Sequence, residues 1–300
     1  MASVTANGIQ IEYETFGDAA SQALLLIIGL GCQLIHWQDE FCQQIADSGY
    51  QVIRFDNRDK GLSTRIEGPP AGQIMEKIIG LSMGLSVAVP YTIEDLADDA
   101  LGLLDALNID KAHICGMSMG GFIAQTLALK NPERTLSLTS IYSSPGSMTK
   151  YPPTPEMNEA MLQAEPLERE ANIEHVVGFY KLTYGTGLAF DEEFHRSLQA
   201  RAYDRSFFPE GTIRQLLAVL AQKDREEDLK QLKVPSLIVH GDADPLVPIS
   251  GGKATADAIP DSEFMVVKGM GHVLPSLNAY WGDIKNAMLK HMGNALMRSN

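Results

Sequence analysis

The sequence predicts an α/β protein built on a mostly parallel eight-stranded sheet that is flanked by helices and carries an inserted helical cap. Short apolar runs alternate with segments of helical periodicity, which is typical of a parallel sheet covered by helices. One stretch of roughly 70 residues after Ser143 breaks the alternation, because it is punctuated by proline, then helical, and contains no strand pattern.

The first two strands are predicted as a hairpin. In "VTANGIQIEYETFG" apolar and polar residues alternate on both sides of Asn7-Gly8, a dipeptide that favours a two-residue turn. Six apolar runs supply the remaining strands: "ALLLIIG" (23–29), "QVIRFD" (51–56), "AHICG" (112–116), "LSLTSIYS" (136–143), "SLIVHG" (236–241) and "FMVVKG" (264–269).

Helical patterns fill the intervals between these runs, as in "HWQDEFCQQIADSG" and "TIEDLADDALGLLDALN". The second segment places Asp95 three residues after Thr92, which predicts a capping box. The insertion without strands is assigned to a helical cap at residues 145–211, and residues 1–144 and 212–300 form the core. Insertions of this kind typically act as lids over active sites.

Composition excludes several classes of function. With 300 residues, 45% of them hydrophobic, the chain can bury a large core, and a net charge of -14 without clustered Lys and Arg argues against nucleic-acid binding. The cysteines Cys32, Cys42 and Cys115 are too few and scattered for a disulfide framework or a zinc site, which favours a reducing compartment such as the cytoplasm. No secretion signal is recognised at the start of the sequence.

The most membrane-like run, "IIGLSMGLSVAVP" at residues 78–90, is too short to span a bilayer. It follows two charged residues, Glu76 and Lys77. We therefore expect a buried or entrance-lining loop here and no membrane span.

Two pentapeptides fit G-x-S-x-G, the pattern that presents a nucleophilic serine on a strained turn between a strand and a helix. They are "GLSMG" at residues 80–84 and "GMSMG" at residues 116–120. The apolar "AHIC" precedes the second and the helical pattern "GFIAQTLALKNP" follows it, whereas the charged segment "QIMEKII" precedes the first. Ser118 is therefore the candidate nucleophile, and Ser82 fails the test of context.

A serine nucleophile needs a base, and histidine has a suitable pKa. Among seven histidines, His272 lies in the loop "MGHVLPS" after the last predicted strand, where the base follows the serine and the acid in chain order. The acid is expected after the strand "SLIVHG", where "HGDADPLVP" offers Asp244 and, as the alternative, Asp242. His240 is interpreted as a structural residue at the end of that strand.

Two backbone amides are expected to stabilise the oxyanion that forms during acyl transfer. One belongs to Met119, the residue after the nucleophile at the start of a helix. The other is expected in the glycine-rich loop after "ALLLIIG", at Leu30 or, as the second choice, Gly31. This chemistry requires no cofactor and no metal.

The motifs "IIGLG", "FDNRDKGLST", "GMSMGG", "HGDADPLVP" and "GMGHVLP", in this order and spacing, resemble those of the α/β-hydrolases over essentially the whole chain. More narrowly, "HWQDEFCQQIADSGYQVIRFDNRDKGLST" and "GMGHVLPS" resemble the aclacinomycin methylesterase-like branch, with its D-x-R-D-x-G-x-S loop and a helical cap after the sixth strand. The resemblance implies a serine carboxylesterase with Ser118, Asp244 and His272 as the catalytic triad and Leu30 and Met119 as the oxyanion hole.

The chain departs from that branch in two places. It has Ile28-Gly29 where the family often has His-Gly, and the stretch 71–90 looks longer than in the branch. The pair Arg58-Asp59 in "DNRDKG" is interpreted as a structural clamp within its loop.

The most favoured function is hydrolysis of a small-molecule carboxylic ester through an acyl-enzyme intermediate. A C–C bond hydrolase and a cofactor-free perhydrolase are alternatives, because they share the fold and the triad, and a ligand-binding protein of the same fold without turnover is a further alternative. A serine nucleophile excludes relatives that attack with aspartate. The acyl and alcohol groups, the substrate-binding residues and the oligomeric state are not indicated by the sequence.

Overall fold

The structure, a computed structural model, describes residues 2–68, 71–146, 148–276 and 278–299, without the side chains of residues 71–75, 82, 298 and 299. Its strands are β1 (Ala2–Ala6), β2 (Ile9–Phe16), β3 (Gln22–Ile27), β4 (Tyr50–Phe55), β5 (Ala112–Met117), β6 (Thr135–Ile141), β7 (Ser236–Gly241) and β8 (Glu263–Val267).

These strands form one sheet of eight in the order β1-β2-β4-β3-β5-β6-β7-β8. The pairs β1·β2 and β2·β4 are antiparallel, and the pairs from β4 to β8 are parallel. The predicted fold class, a mostly parallel eight-stranded sheet with helices on its faces, is confirmed.

Helices connect most of the parallel strands. They are α1 (Asp39–Ala46), α2 (Ala71–Ser82), α3 (Ile93–Ala106), α4 (Met119–Lys130), α5 (Pro155–Met161), α6 (Arg169–Thr183), α7 (Glu192–Arg205), α8 (Pro209–Ala221), α9 (Glu226–Leu229), α10 (Ile249–Ala258) and α11 (Ala279–Ser299). The predicted capping box at the start of α3 is confirmed, since the Asp95 amide donates to the Thr92 hydroxyl at 3.2 Å and the Thr92 amide donates to the Asp95 carboxylate at 2.8 Å.

The sheet separates two apolar layers, because successive side chains of a strand point to opposite faces. In β3, Leu25 and Ile27 pack in the layer that contains α3 and α4, whereas Leu24 and Leu26 pack in the layer that contains α1 and α11. All four side chains are at most 1% exposed. Each contributes about 1.5–3 kcal/mol of transfer free energy on burial, which fixes the central strands that carry the site residues.

The expectation of a buried or entrance-lining loop at residues 78–90 is wrong for its first part, which is helical. Residues up to Ser82 belong to α2, which packs against α8, and beyond the helix Met83 and Leu85 are 71% and 57% exposed. The segment 71–82 contains many good helix formers and no proline, so the chain can form a helix before Pro90 intervenes.

Helices α5–α8 lie between β6 and β7 in the chain, where the cap is expected. Arg205 of α7 pairs with Asp56 at 2.8 Å, and Arg214 of α8 pairs with Asp59 at 2.8 Å. Both aspartates belong to the loop after β4, and both ion pairs are buried. The loop after β4 is therefore one of the places where α7 and α8 are attached to the sheet. The expected boundary at residues 211 and 212 falls within α8 and stays a prediction.

Candidate active site

Ser118 occupies a strained turn between β5 and α4. Its backbone has φ 56° and ψ -124°, a conformation that L-residues rarely adopt and that costs on the order of 1–3 kcal/mol. The Ser118 amide donates to the Ile141 carbonyl at 3.0 Å, and the Ser118 carbonyl accepts from the Gly121 amide at 2.8 Å and from the Ser143 hydroxyl at 3.1 Å. These bonds to the neighbouring strand and to the following helix hold the strained residue in place.

The glycines two residues before and two residues after Ser118 are required by contact. A Cβ atom on Gly116 would lie 1.9 Å from the Gly120 carbonyl oxygen, and one on Gly120 would lie 2.1 Å from the Ile27 carbonyl oxygen. Neither position has space for a methyl group. The two glycines of G-x-S-x-G are therefore required because the backbone segments before and after Ser118 lie in contact with each other and with β3.

Ser82, by contrast, is the last residue of α2, and no strand leads into it. Its side chain lies outside the described residues. The backbone around Ser82 lacks the strand-turn-helix arrangement that presents a nucleophile.

His272 and Asp244 are brought together at the carboxyl ends of β8 and β7. The His272 Nδ1 atom donates to the Asp244 Oδ2 atom at 2.8 Å. The other oxygen of Asp244 accepts from the amides of Leu246 and Val247, both at 2.9 Å. The carboxylate is fully buried and the imidazole is 11% exposed. The amides of the following residues thus hold the Asp244 carboxylate in place, and the carboxylate orients the imidazole.

The alternative acid, Asp242, faces solvent and accepts a hydrogen bond from the Gly269 amide at 2.5 Å. Asp242 therefore binds the loop after β8 through Gly269, whereas Asp244 contacts His272. His240 lies behind Asp244, with Nε2 bonded to the Val247 carbonyl at 2.8 Å and 3.8 Å from Asp244 Oδ2. Burial lowers the pKa of His240, which keeps it a neutral, structural donor.

Tyr142 links the histidine to the serine turn. Its ring centroid lies 4.2 Å from that of His272, and its hydroxyl donates to the Val273 carbonyl at 2.9 Å. The same hydroxyl lies 2.9 Å from Sδ of Met117, the residue immediately before Ser118. The imidazole is therefore packed beside the serine turn. Sequence reasoning missed Tyr142, although its position at the end of β6, next to β5, could have indicated it.

The loop after β3 lies directly against the serine. A Cβ atom on Gly29 would lie 3.2 Å from the Cβ atom of Ser118. The Gly31 amide donates to Gln215 Oε1 of α8 at 2.9 Å, so it is already occupied. Within the described part of the chain, the amides of Leu30 and Met119 donate to no protein group. Of the two candidates in this loop, Leu30 has the amide that is free to bind an oxyanion.

The loop after β4 is clamped on both sides. Arg58 forms two hydrogen bonds to Asp99 of α3, at 2.5 Å and 2.6 Å, and Asp59 pairs with Arg214. The Gln215 amide group donates to the Arg58 carbonyl at 3.0 Å, so the side chain that holds Gly31 also holds this loop. The geometry agrees with the interpretation of Arg58 and Asp59 as a structural clamp.

The chain belongs to the α/β-hydrolase fold family, whose model matches residues 22–279. The sheet order, the serine turn and the acid and histidine that follow in chain order are the features by which such proteins are recognised.

Among individual proteins, the chain is 30% identical over 292 residues to the rhodomycin D methylesterase DauP of Streptomyces sp. (strain C5), covering 91% of this chain and 92% of that protein. It is 26% identical to 3-oxoadipate enol-lactonase 2 of Acinetobacter baylyi, covering 89% and 88%. A thermophilic esterase from Thermogutta terrifontis shares the fold with a TM-score of 0.73 at 21% identity, covering 98% and 99%. The resemblance to the aclacinomycin methylesterase-like branch is confirmed.

No described helix is both long and apolar enough to cross a bilayer, and no described group of His, Cys, Asp and Glu side chains is arranged to hold a metal ion. A surface cleft of about 320 Å³ is lined by Gln38, Asp191, Glu193, Phe194, Ser197, Leu198 and Arg201, and its lining does not include Ser118.

Proposed function

We propose that this protein hydrolyses a small-molecule carboxylic ester through an acyl-enzyme on Ser118. His272 acts as the general base and Asp244 orients it, while the amides of Leu30 and Met119 bind the oxyanion. The cap, which we assign to residues 145–211, covers this site. No cofactor or metal takes part in the proposed reaction.

One observation carries the proposal: the His272–Asp244 pair is packed through Tyr142 against the strained turn that holds Ser118. A hydroxyl group is a weak nucleophile unless a positioned base removes its proton. The unoccupied amides of Leu30 and Met119 lie in the two segments that flank Ser118, which supports a role in charge stabilisation.

In the acylation step, His272 takes the proton of the Ser118 hydroxyl as its oxygen bonds to the ester carbonyl carbon. Negative charge develops on the carbonyl oxygen and is stabilised by the Leu30 and Met119 amides, the latter at the positive end of α4. His272 then protonates the leaving alcohol. A water molecule repeats the sequence, releasing the carboxylic acid and restoring the serine.

An ester substrate is supported by the relative at 30% identity, which is a methylesterase. The relatives at 26% identity include a lactonase and a 2-hydroxy-6-oxononadienedioate hydrolase, so they do not separate the alternatives. A C–C bond hydrolase or a perhydrolase would use the same three side chains, and nothing in the described geometry favours either.

The test is turnover of p-nitrophenyl acetate and of a panel of methyl esters graded by acyl length. We expect measurable hydrolysis by the wild type and a loss of at least about a thousandfold in kcat/KM for Ser118→Ala, because no other group can form the acyl-enzyme. Ser82→Ala is the matched control and should retain wild-type activity. Ester turnover that persists in Ser118→Ala would reject the nucleophile, and peroxide-dependent halogenation exceeding ester hydrolysis would favour the perhydrolase.

A further inference from the structure

Lys60 is a buried lysine that forms no ion pair with any carboxylate among the described residues. The residue is 8% exposed, and its ammonium group donates one hydrogen bond, to the hydroxyl of Thr212 at 2.8 Å. Within the described part of the chain, no carboxylate forms an ion pair with it. Buried charges are normally paired, and an ammonium group has three donors, so two donors of Lys60 remain available.

The acidic groups that act on Lys60 electrostatically form no ion pair with it among the described residues. Asp56 and Asp59 pair with Arg205 and Arg214, respectively. Glu165, in the segment between α5 and α6, acts on Lys60 electrostatically but forms no ion pair with it in the described structure. Burial lowers the pKa of Lys60, and the charge of Glu165 opposes that change. Among the described residues, no carboxylate is therefore paired with the ammonium group.

A chain of contacts leads from Lys60 to the proposed oxyanion loop. Thr212, its hydrogen-bond partner, lies on α8 against Gly31, where an added Cβ atom would be 3.2 Å from Thr212 Cγ2. Gly31 directly follows Leu30, and the next residue, Cys32, is within electrostatic reach of Lys60. The lysine thus lies where the cap helix α8 meets the loop that borders Ser118.

We propose that Lys60 is a specificity-determining residue that binds a carboxylate carried by the ester substrate. This inference rests on the proposed function and names the substrate class of the same site. The carboxylate accepts hydrogen bonds from the free donors of Lys60 and from Thr212, whose hydroxyl accepts from Lys60 and keeps its own proton to donate.

The experiment compares two pairs of esters in which a carboxylate replaces a methyl group. Methyl p-toluate and monomethyl terephthalate carry the change on the acyl side, and p-tolyl acetate and p-acetoxybenzoate carry it on the alcohol side. The readout is the ratio of kcat/KM for the acid to that for its neutral partner. We expect a ratio of at least about ten in one of the two pairs, which also identifies the side of the ester that faces Lys60.

Lys60→Met should lower that ratio by about ten- to a hundredfold, chiefly through a higher KM for the acid, and Lys60→Arg should keep part of it. Lys130→Met, at an exposed lysine paired with Asp98, is the control that should keep the wild-type ratio. Thermal unfolding of each variant identifies any loss of the fold.

Failure of the inference and failure of the proposed function give different results. If the wild type hydrolyses none of the four esters through Ser118, the proposed function is wrong. If it hydrolyses them but the ratio is near or below one in both pairs, or if Lys60→Met leaves a high ratio unchanged, Lys60 does not bind a substrate carboxylate.

Discussion

The ring of Tyr142 lies against the imidazole of His272, with the centroids 4.2 Å apart and the planes inclined by 52°. Tyr142 is fully buried between the two sides of the site, and its hydroxyl contacts Met117 on one side and Val273 on the other. Tyr142 therefore helps to position His272 relative to the serine turn. It directly follows β6, the strand between β5 and β7, which precede Ser118 and Asp244.

Tyr142→Phe keeps the ring and removes the hydroxyl. Because the Val273 carbonyl then loses a buried donor, we expect a loss of about 1–3 kcal/mol in the free energy of unfolding. Because the loop that carries His272 is less firmly held, we also expect kcat to fall by about tenfold. Urea unfolding and steady-state kinetics measure the two effects. An unchanged kcat would show that the tyrosine does not position the base.

The two aspartates after β7 provide a matched pair of variants. Asp244→Asn should lower kcat by about a thousand- to ten-thousandfold, because an amide would favour the wrong tautomer of His272. Asp242→Asn should stay within a few-fold of the wild type, because this exposed residue contacts only the Gly269 amide. Steady-state kinetics on one ester compares them, and the reverse order of effects would reassign the acid.

Gly120→Ala should be severely destabilising. The added methyl group would lie 2.1 Å from the Ile27 carbonyl oxygen, so we expect a loss of about 3 kcal/mol or more and a large fall in the amount of folded protein. Gly293→Ala is the control, because this glycine of α11 has no heavy atom near its potential Cβ position. Alanine there should stabilise by about 0.5–1 kcal/mol through helix propensity. Denaturant unfolding tests both, and an unaffected Gly120→Ala would contradict the steric account of the turn.

Stability should fall as the pH is lowered below about 6.5, partly because of His113. Burial in β5 lowers the pKa of His113 from 6.5 to about 4, and His36 is lowered to about 4 for the same reason. Above pH 6.5 both histidines are neutral in the folded and in the unfolded chain. Between pH 6.5 and about pH 4 each histidine binds a proton in the unfolded chain but not in the folded chain. Protonation of the unfolded chain therefore lowers the free energy of unfolding by about 2 kcal/mol per histidine near pH 5.

His113→Asn removes one of these titrations and keeps an acceptor for the Ser137 hydroxyl, which lies 2.8 Å from the histidine Nδ1. As the pH is lowered from about 7.5 to about 5, the free energy of unfolding of the variant should therefore rise by about 2 kcal/mol relative to that of the wild type. The carboxylates titrate equally in both proteins, so the difference between the two curves isolates the histidine. Parallel stability curves over this range would show that His113 is not held neutral by the fold.

Much of the fold was predictable because its signals are local. Apolar runs such as "SLIVHG" identify central strands, and Gly116 and Gly120 around Ser118 indicate a turn that excludes side chains. The chain order of the acid and the histidine then reduces the candidates at each position to one or two. The contact of Asp244 with His272 agrees with that order, whereas their catalytic role remains a prediction.

Other features depend on contacts between distant segments, and no local pattern indicates them. Tyr142 contacts Val273 across 131 positions, and Gln215 holds Gly31 across 184 positions. The isolation of Lys60 becomes apparent only when the neighbouring aspartates are seen to pair with arginines of α7 and α8. The short apolar run at residues 78–90 predicts a loop, whereas helix propensity prevails over residues 71–82 in the structure.

Covalent labelling of the serine nucleophile tests the proposed chemistry most directly. A fluorophosphonate reacts with a serine activated by a neighbouring base, and peptide mass spectrometry locates the adduct. We expect one adduct per chain, on the peptide that contains Ser118, and a large fall in its rate of formation in Asp244→Asn. Labelling at Ser82, or labelling of Ser118 at the same rate in Asp244→Asn, would contradict the assignment of Ser118 as a nucleophile activated by His272 and Asp244.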